Sequence, residues 1–179
     1  MNRKKNSPQK KPRKKEAAAT SQIKHLTKEL SREDFRLGLP LLDAAVAGVV
    51  LGFRPSDREM REQAERCWET IQPILSQHLF NEDETVLPWA KGMAGFSPAV
   101  MLRLKKSHHE LHEIAKQLAG VSFEEDTEQV VAPAGKALCA LAVKLDDLIA
   151  SEELRLFPSL RKLLFSETPG ASAPETAGV

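Results

Sequence analysis

Histidines and carboxylates recur in this chain at spacings that let several of them converge. His78 and Glu82 are four residues apart, so on a helix they stand one turn apart on the same face and can point at a single ion. His108 and His112 repeat that spacing, and Glu152 adds a carboxylate remote in sequence. Imidazole with carboxylate is an N,O donor set suited to iron, manganese or zinc, and no thiolate pair with zinc-site spacing accompanies it. His78, Glu82, His108 and Glu152 all fall on steps where the apolar pattern calls for leucine, and Asp34 does the same nearer the N-terminus. A buried carboxylate is costly unless paired, protonated or bound to a cation, so two of them from different helices call for a shared partner. Blander roles compete with this one. His78 could hydrogen-bond Glu82, Glu152 could pair with Arg36 or Arg155, and His109 and His112 could simply face solvent.

The elements that must position these groups are helical, because the apolar period is three and four throughout and no alternating strand pattern occurs. The first helix is expected from about Ser31, spaced as a cap with Asp34, to Gly52, bending near Gly38 and Pro40, with Leu30, Asp34, Leu37, Leu41, Ala44, Gly48 and Leu51 inward. The second is expected to start at Ser56 with a capping box to Glu59, to bend at Pro73 without ending, and to carry Met60, Ala64, Cys67, Ile71, Leu75, His78 and Glu82 inward. The third opens with Ser97 and Pro98 and presents Met101, Leu104, His108, Leu111, Ala115 and Leu118. The fourth, from about Thr127, presents Ala134, Leu138, Leu141, Leu145, Leu148, Glu152 and Leu156. Four amphipathic helices with short connections predict an all-α, up-and-down four-helix bundle.

A weak repeat links the two halves. The segment from His78 to Pro88 (HLFNEDETVLP) lies on Leu148 to Pro158 (LIASEELRLFP), so that the acid doublet, the apolar pair and the proline coincide. Only Leu148, standing where His78 has its imidazole, breaks the match among the candidate ligands. Likewise Ala44–Val49 resembles Lys116–Val121, which sets Arg36 opposite His108 and Pro40 opposite His112.

A duplicated helix pair with a histidine followed by an H-x-x-x-E-E-x-x-L-F-P segment resembles the hemerythrin-like (HHE cation-binding) domains, over roughly residues 25 to 165. The resemblance implies a non-haem, typically di-iron, site among the helices, with one carboxylate from each repeat able to bridge and with O2, nitric oxide or peroxide as ligands. Carried across residue by residue, it matches His78 and Glu82, His108 (with His109 or His112 as alternatives) and Glu152. Two histidines of the pattern are absent: Leu148 takes one place, and the first-helix ligand is missing unless Asp34 or His25 substitutes. The resemblance therefore implies an atypical site, with iron held by a reduced ligand set, mononuclear, or lost.

Composition narrows the remaining possibilities. Residues 1–15 hold eight Lys or Arg and no acid, leaving residues 16–165 with a net charge of about −5. The expected organisation is a basic disordered tail over 1–20, one helical domain over 21–165, and a second disordered tail over 166–179 rich in Pro, Gly, Ala, Ser and Thr. The apolar stretch from Leu37 to Leu51 is interrupted by Pro40, Asp43 and glycine, so neither a membrane span nor a secretory segment is expected, and a cytoplasmic protein is. Cys67 and Cys139 read as core residues without a disulfide. No nucleophile–base motif or phosphate loop is present, which leaves incidental oxidase or peroxidase chemistry at bound iron as the only enzymatic reading. The functional expectation is a cation-binding protein in iron, oxygen or redox handling or sensing. Its alternative is a metal-free structural or interaction module, with polyanion or nucleic-acid binding through the basic arm as a third possibility.

Overall fold

The computed structural model describes residues 13–166, and every regular element among them is helical. Helix α1 spans Arg13–Phe53, α2 Arg58–Asn81, α3 Leu87–Lys91, α4 Pro98–Leu118, α5 Glu128–Ser151 and α6 Phe157–Ser166. Wide, π-helical turns at Glu82–Val86 and Glu152–Leu156 join α2 to α3 and α5 to α6 without a break. Helix α1 packs most extensively along α5 and also against α2, while α4 lies on α5.

Helix α1 is longer than the sequence pattern suggested. It begins at Arg13 rather than near Ser31, and so takes in residues 13–20 of the segment expected as a tail. Two local causes account for this. The Glu16–Ala19 stretch has high helix propensity, and the inward stripe extends upstream through Ile23 to join Leu30, Leu37, Ala44 and Leu51 at seven-residue intervals, all of them buried. Ser31 does not cap a helix; its hydroxyl donates to Glu153 Oε1 at 3.1 Å. The remaining parts of the two expected tails, 1–12 and 167–179, lie outside the described residues.

Pro40, Pro73 and Pro133 are each carried inside a continuous helix. Because Pro40, Asp43 and the glycines do not interrupt α1, its Ala18–Phe53 portion contains an 18-residue stretch of mean hydropathy 1.6, long and apolar enough to cross a bilayer. The expectation that no such stretch exists is thereby corrected. Only 33% of that stretch is buried within the chain.

Helix α2 is capped by Asp57, whose Oδ1 accepts from the Met60 N–H at 3.2 Å, one residue after the expected Ser56. Ser97 with Pro98, and Thr127, stand where the pattern placed the starts of the third and fourth helices. Gly48 and Gly135 bring the α1 and α5 backbones into direct apposition: a Cβ on Gly48 would lie 2.5 Å from the Gly135 carbonyl oxygen. The inward residues expected on all four long helices are buried or half-buried, and both cysteines are free.

Candidate metal centre

The two wide turns sit where the 70-residue echo in the sequence begins its acid doublet. In each, a backbone N–H reaches back five residues instead of four, from Leu87 to the Glu82 carbonyl and from Phe157 to the Glu152 carbonyl. Proline follows at once, Pro88 in one and Pro158 in the other. A proline within a helix has no N–H to give and crowds the carbonyl four residues back, and an extra residue in the preceding turn accommodates the ring. The widened turn also keeps Glu82 and Leu87, and Glu152 and Phe157, on the inward face together, all at most 1% exposed.

Helix α1 contributes Asp34, α2 His78, the first wide turn Glu82, α4 His108 and the second wide turn Glu152; all five are buried. Their donor atoms form two groups that share one carboxylate. Asp34, His78 and Glu152 make one, and Glu82, His108 and Glu152 the other, with the donor atoms in each within 4.8 Å of one another. His78 Nε2 lies 3.2 Å from Glu152 Oε2, and its Nδ1 lies 3.6 Å from Asp34 Oδ1 and 3.4 Å from Glu33 Oε2. His108 Nε2 lies 3.0 Å from Glu82 Oε2, and its Nδ1 lies 2.9 Å from Asp83 Oδ1.

Two of these approaches are hydrogen bonds, His78 Nε2 with Glu152 Oε1 at 3.4 Å and His108 Nδ1 with Asp83 Oδ1 at 2.9 Å, but most of the cluster's polar atoms make none. Both oxygens of Asp34, both of Glu82, Glu152 Oε2, His78 Nδ1 and His108 Nε2 are buried with no hydrogen-bond partner. Buried polar groups in folded proteins are nearly always satisfied, so seven unsatisfied donor atoms converging on one place fit a cation, which would take their lone pairs without requiring hydrogen-bond angles. The donor set of two imidazole nitrogens and three carboxylates suits iron, manganese or zinc.

Burial foremost pushes the Asp34 carboxyl up to about 7, with His78 opposing and Glu82, Glu153 and Glu33 reinforcing the shift. Burial and then the Glu82 charge raise Glu152 to about 8, against the pull of His78. Burial alone would lower both imidazoles. It is outweighed by Glu152, Glu33 and Glu82 around His78, which rises well above the usual histidine value, and by Glu82 and Asp83 around His108, which also rises. Without a cation, the cluster holds its charge balance with protons.

Of the residues singled out in the sequence, His78, Glu82, His108 and Glu152 come together, and Asp34 joins them. His112 does not: it is exposed on α4, as is His109, because only His108 lies on the inward seam. His25 is exposed and pairs with Glu29 at 3.9 Å, so it is not the first-helix substitute. Among the described residues no arginine or lysine pairs with Glu152; Arg36 and Arg155 are exposed. Leu148 is buried, packed one turn before Glu152. Glu33 and Asp83 were not anticipated as members of the cluster. Each belongs to an acid doublet, Glu33-Asp34 and Glu82-Asp83, the same signal that marks Glu152-Glu153.

A groove of about 770 Å3 lies elsewhere, between α1 and α6, and no cluster residue lines it. No family model matches the chain, and no curated protein or solved structure matches it.

Proposed function

We propose that the chain is an up-and-down four-helix bundle of hemerythrin-like design whose interior binds non-haem iron, and that it works in iron, oxygen or redox handling or sensing. The observation that carries this reading is the sharing of Glu152 between two buried groups, each with one imidazole and two carboxylates. A carboxylate with two oxygens can serve two ions at once, so the arrangement supports a two-ion centre: Asp34 and His78 on one side, Glu82 and His108 on the other, Glu152 between. Asp34 then stands in for the missing first-helix imidazole, and nothing needs to replace the one at Leu148. Asp83, 2.9 Å from His108 Nδ1, holds that ring with Nε2 directed inward. Iron in such a site supplies reversible binding of O2, nitric oxide or peroxide.

The experiment is elemental analysis of the full chain purified from iron-supplemented cells, followed by titration of the chelated protein with Fe(II), Mn(II) and Zn(II). Two equivalents of iron per chain support the reading. A chain that neither retains nor takes up any of the three supports the other one, a metal-free interaction module in which His78–Glu152 and His108–Asp83 ion pairs hold the interior.

A further inference from the structure

Helix α1 carries a second apolar stripe, turned away from its own core. Phe35, Leu39, Leu42, Val46, Val49 and Phe53 follow one another at alternating intervals of four and three and are 89, 78, 62, 48, 49 and 85% exposed. Strict alternation of this kind is the seam of a coiled coil, narrower than the face an ordinary surface helix buries. The positions run from just past the middle of α1 to its last residue, a length of about 27 Å at 1.5 Å per residue. They expose roughly 800 Å2 of side chain, more than the 300–600 Å2 of the largest apolar patch on a typical monomer.

We infer that this seam is covered by the same seam of a second copy of the chain, forming a two-fold dimer through α1. The area suits that occupant: a standard stable interface buries about 800 Å2 on each partner, the order of what one seam exposes. Self-pairing needs no second sequence, since a two-fold axis sets the same apolar column on both sides. A bilayer is the poorer fit. The opposite face of α1 carries buried Asp34 and is committed to α5 and α2, and lipid would call for an apolar surface all round rather than two columns. This inference is independent of whether the interior holds metal, because no seam residue belongs to the cluster.

Sedimentation equilibrium of the full chain at micromolar concentrations tests it, with twice the chain mass as the expected result. Leu42→Glu combined with Val46→Glu places acidic groups in the middle of the seam and should return the chain to monomer mass, with helical circular dichroism and the unfolding midpoint of the protomer retained. Should that variant lose its helical signal, Phe53→Lys at the exposed end of the seam gives the same readout as a weaker dimer. A monomeric parent chain overturns the inference, as does a dimer that persists with its affinity unchanged in the charged variants. So does a parent chain that is monomeric in buffer and floats with neutral phosphatidylcholine vesicles, which would make the occupant lipid.

Discussion

Glu152 and His78, 74 residues apart in sequence, meet in the interior: His78 Nε2 is hydrogen-bonded to Glu152 Oε1 at 3.4 Å, while Oε2, 3.2 Å from the same nitrogen, has no hydrogen-bond partner. Glu152 is shared by both groups of candidate ligands, so on the proposed two-ion reading it is the residue on which both positions depend. Glu152→Gln keeps the shape and removes the charge, and should empty both positions together: iron per chain falls from two toward zero, and affinity drops by more than the roughly 10–100-fold typical of losing an outer partner. His108→Ala should lose one equivalent first, whereas His112→Ala, altering an exposed ring, should leave iron content unchanged. Elemental analysis of the three variants checks this.

The ion-free protein should lose stability as pH rises. Asp34 titrates near 3.8 when unfolded and about 7 when folded, and Glu152 near 4.5 and about 8. Between those values the folded chain holds protons that the unfolded chain has released, so stability falls with increasing pH. His78 and His108, also raised on folding, add stability below their unfolded value that disappears as pH climbs through the folded one. The expected outcome is a Tm of the chelated protein that declines steadily from about pH 5 to pH 8.5, with a smaller decline when metal is present, because cations displace these protons. A Tm that rises over this range would contradict the assignment.

Leu148→His restores an imidazole one turn before Glu152, matching the His78 and Glu82 pair. In the chelated protein the ring is an extra polar group in an apolar seam and should cost about 1–3 kcal/mol. With iron present the loss should be recovered and affinity should rise, since a nitrogen donor is added to carboxylates already in place. Denaturant unfolding with and without Fe(II) measures both effects; a loss that iron does not restore would place Leu148 in packing alone.

Gly48→Ala should destabilise the fold by about 1–3 kcal/mol, the usual cost of overpacking. Its Cβ would approach the Gly135 oxygen and, at 2.6 Å, the Cys139 nitrogen, and neither backbone atom can move without shifting α5. Gly38→Ala is the control. Nothing lies within 4 Å of its Cβ position, and alanine in an exposed helix interior should add roughly 0.5–1 kcal/mol.

Much of this was legible in the sequence for identifiable reasons. The helical period exposed the inward seams, and polar residues on those seams named His78, Glu82, His108, Glu152 and Asp34 because a core position rarely tolerates a carboxylate without purpose. Glu33 and Asp83 were missed because they lie one step off the seam, where a carboxylate ordinarily reaches water. The start of α1 was misplaced because Ser31 looks like a cap until its partner, Glu153, is known, and that partner comes from the far end of the fold. The wide turns depend on five-residue backbone hydrogen bonds that side-chain pattern does not encode. The outward stripe of α1 was hidden for a different reason: two interleaved apolar columns on one helix read as a single, broken apolar run.

The Ser31–Glu153 contact spans 122 residues, and α1 finds its principal partner only in α5. At about 5–20 residues per second of synthesis, a nascent α1 waits roughly 6–24 s before the segment that covers its inner face exists. During that interval α1 has α2 beside it but not α5, and its outward stripe has no finished second copy to meet. Slowing the ribosome over residues 54–127 should therefore lower the soluble yield of this chain more than slowing it elsewhere.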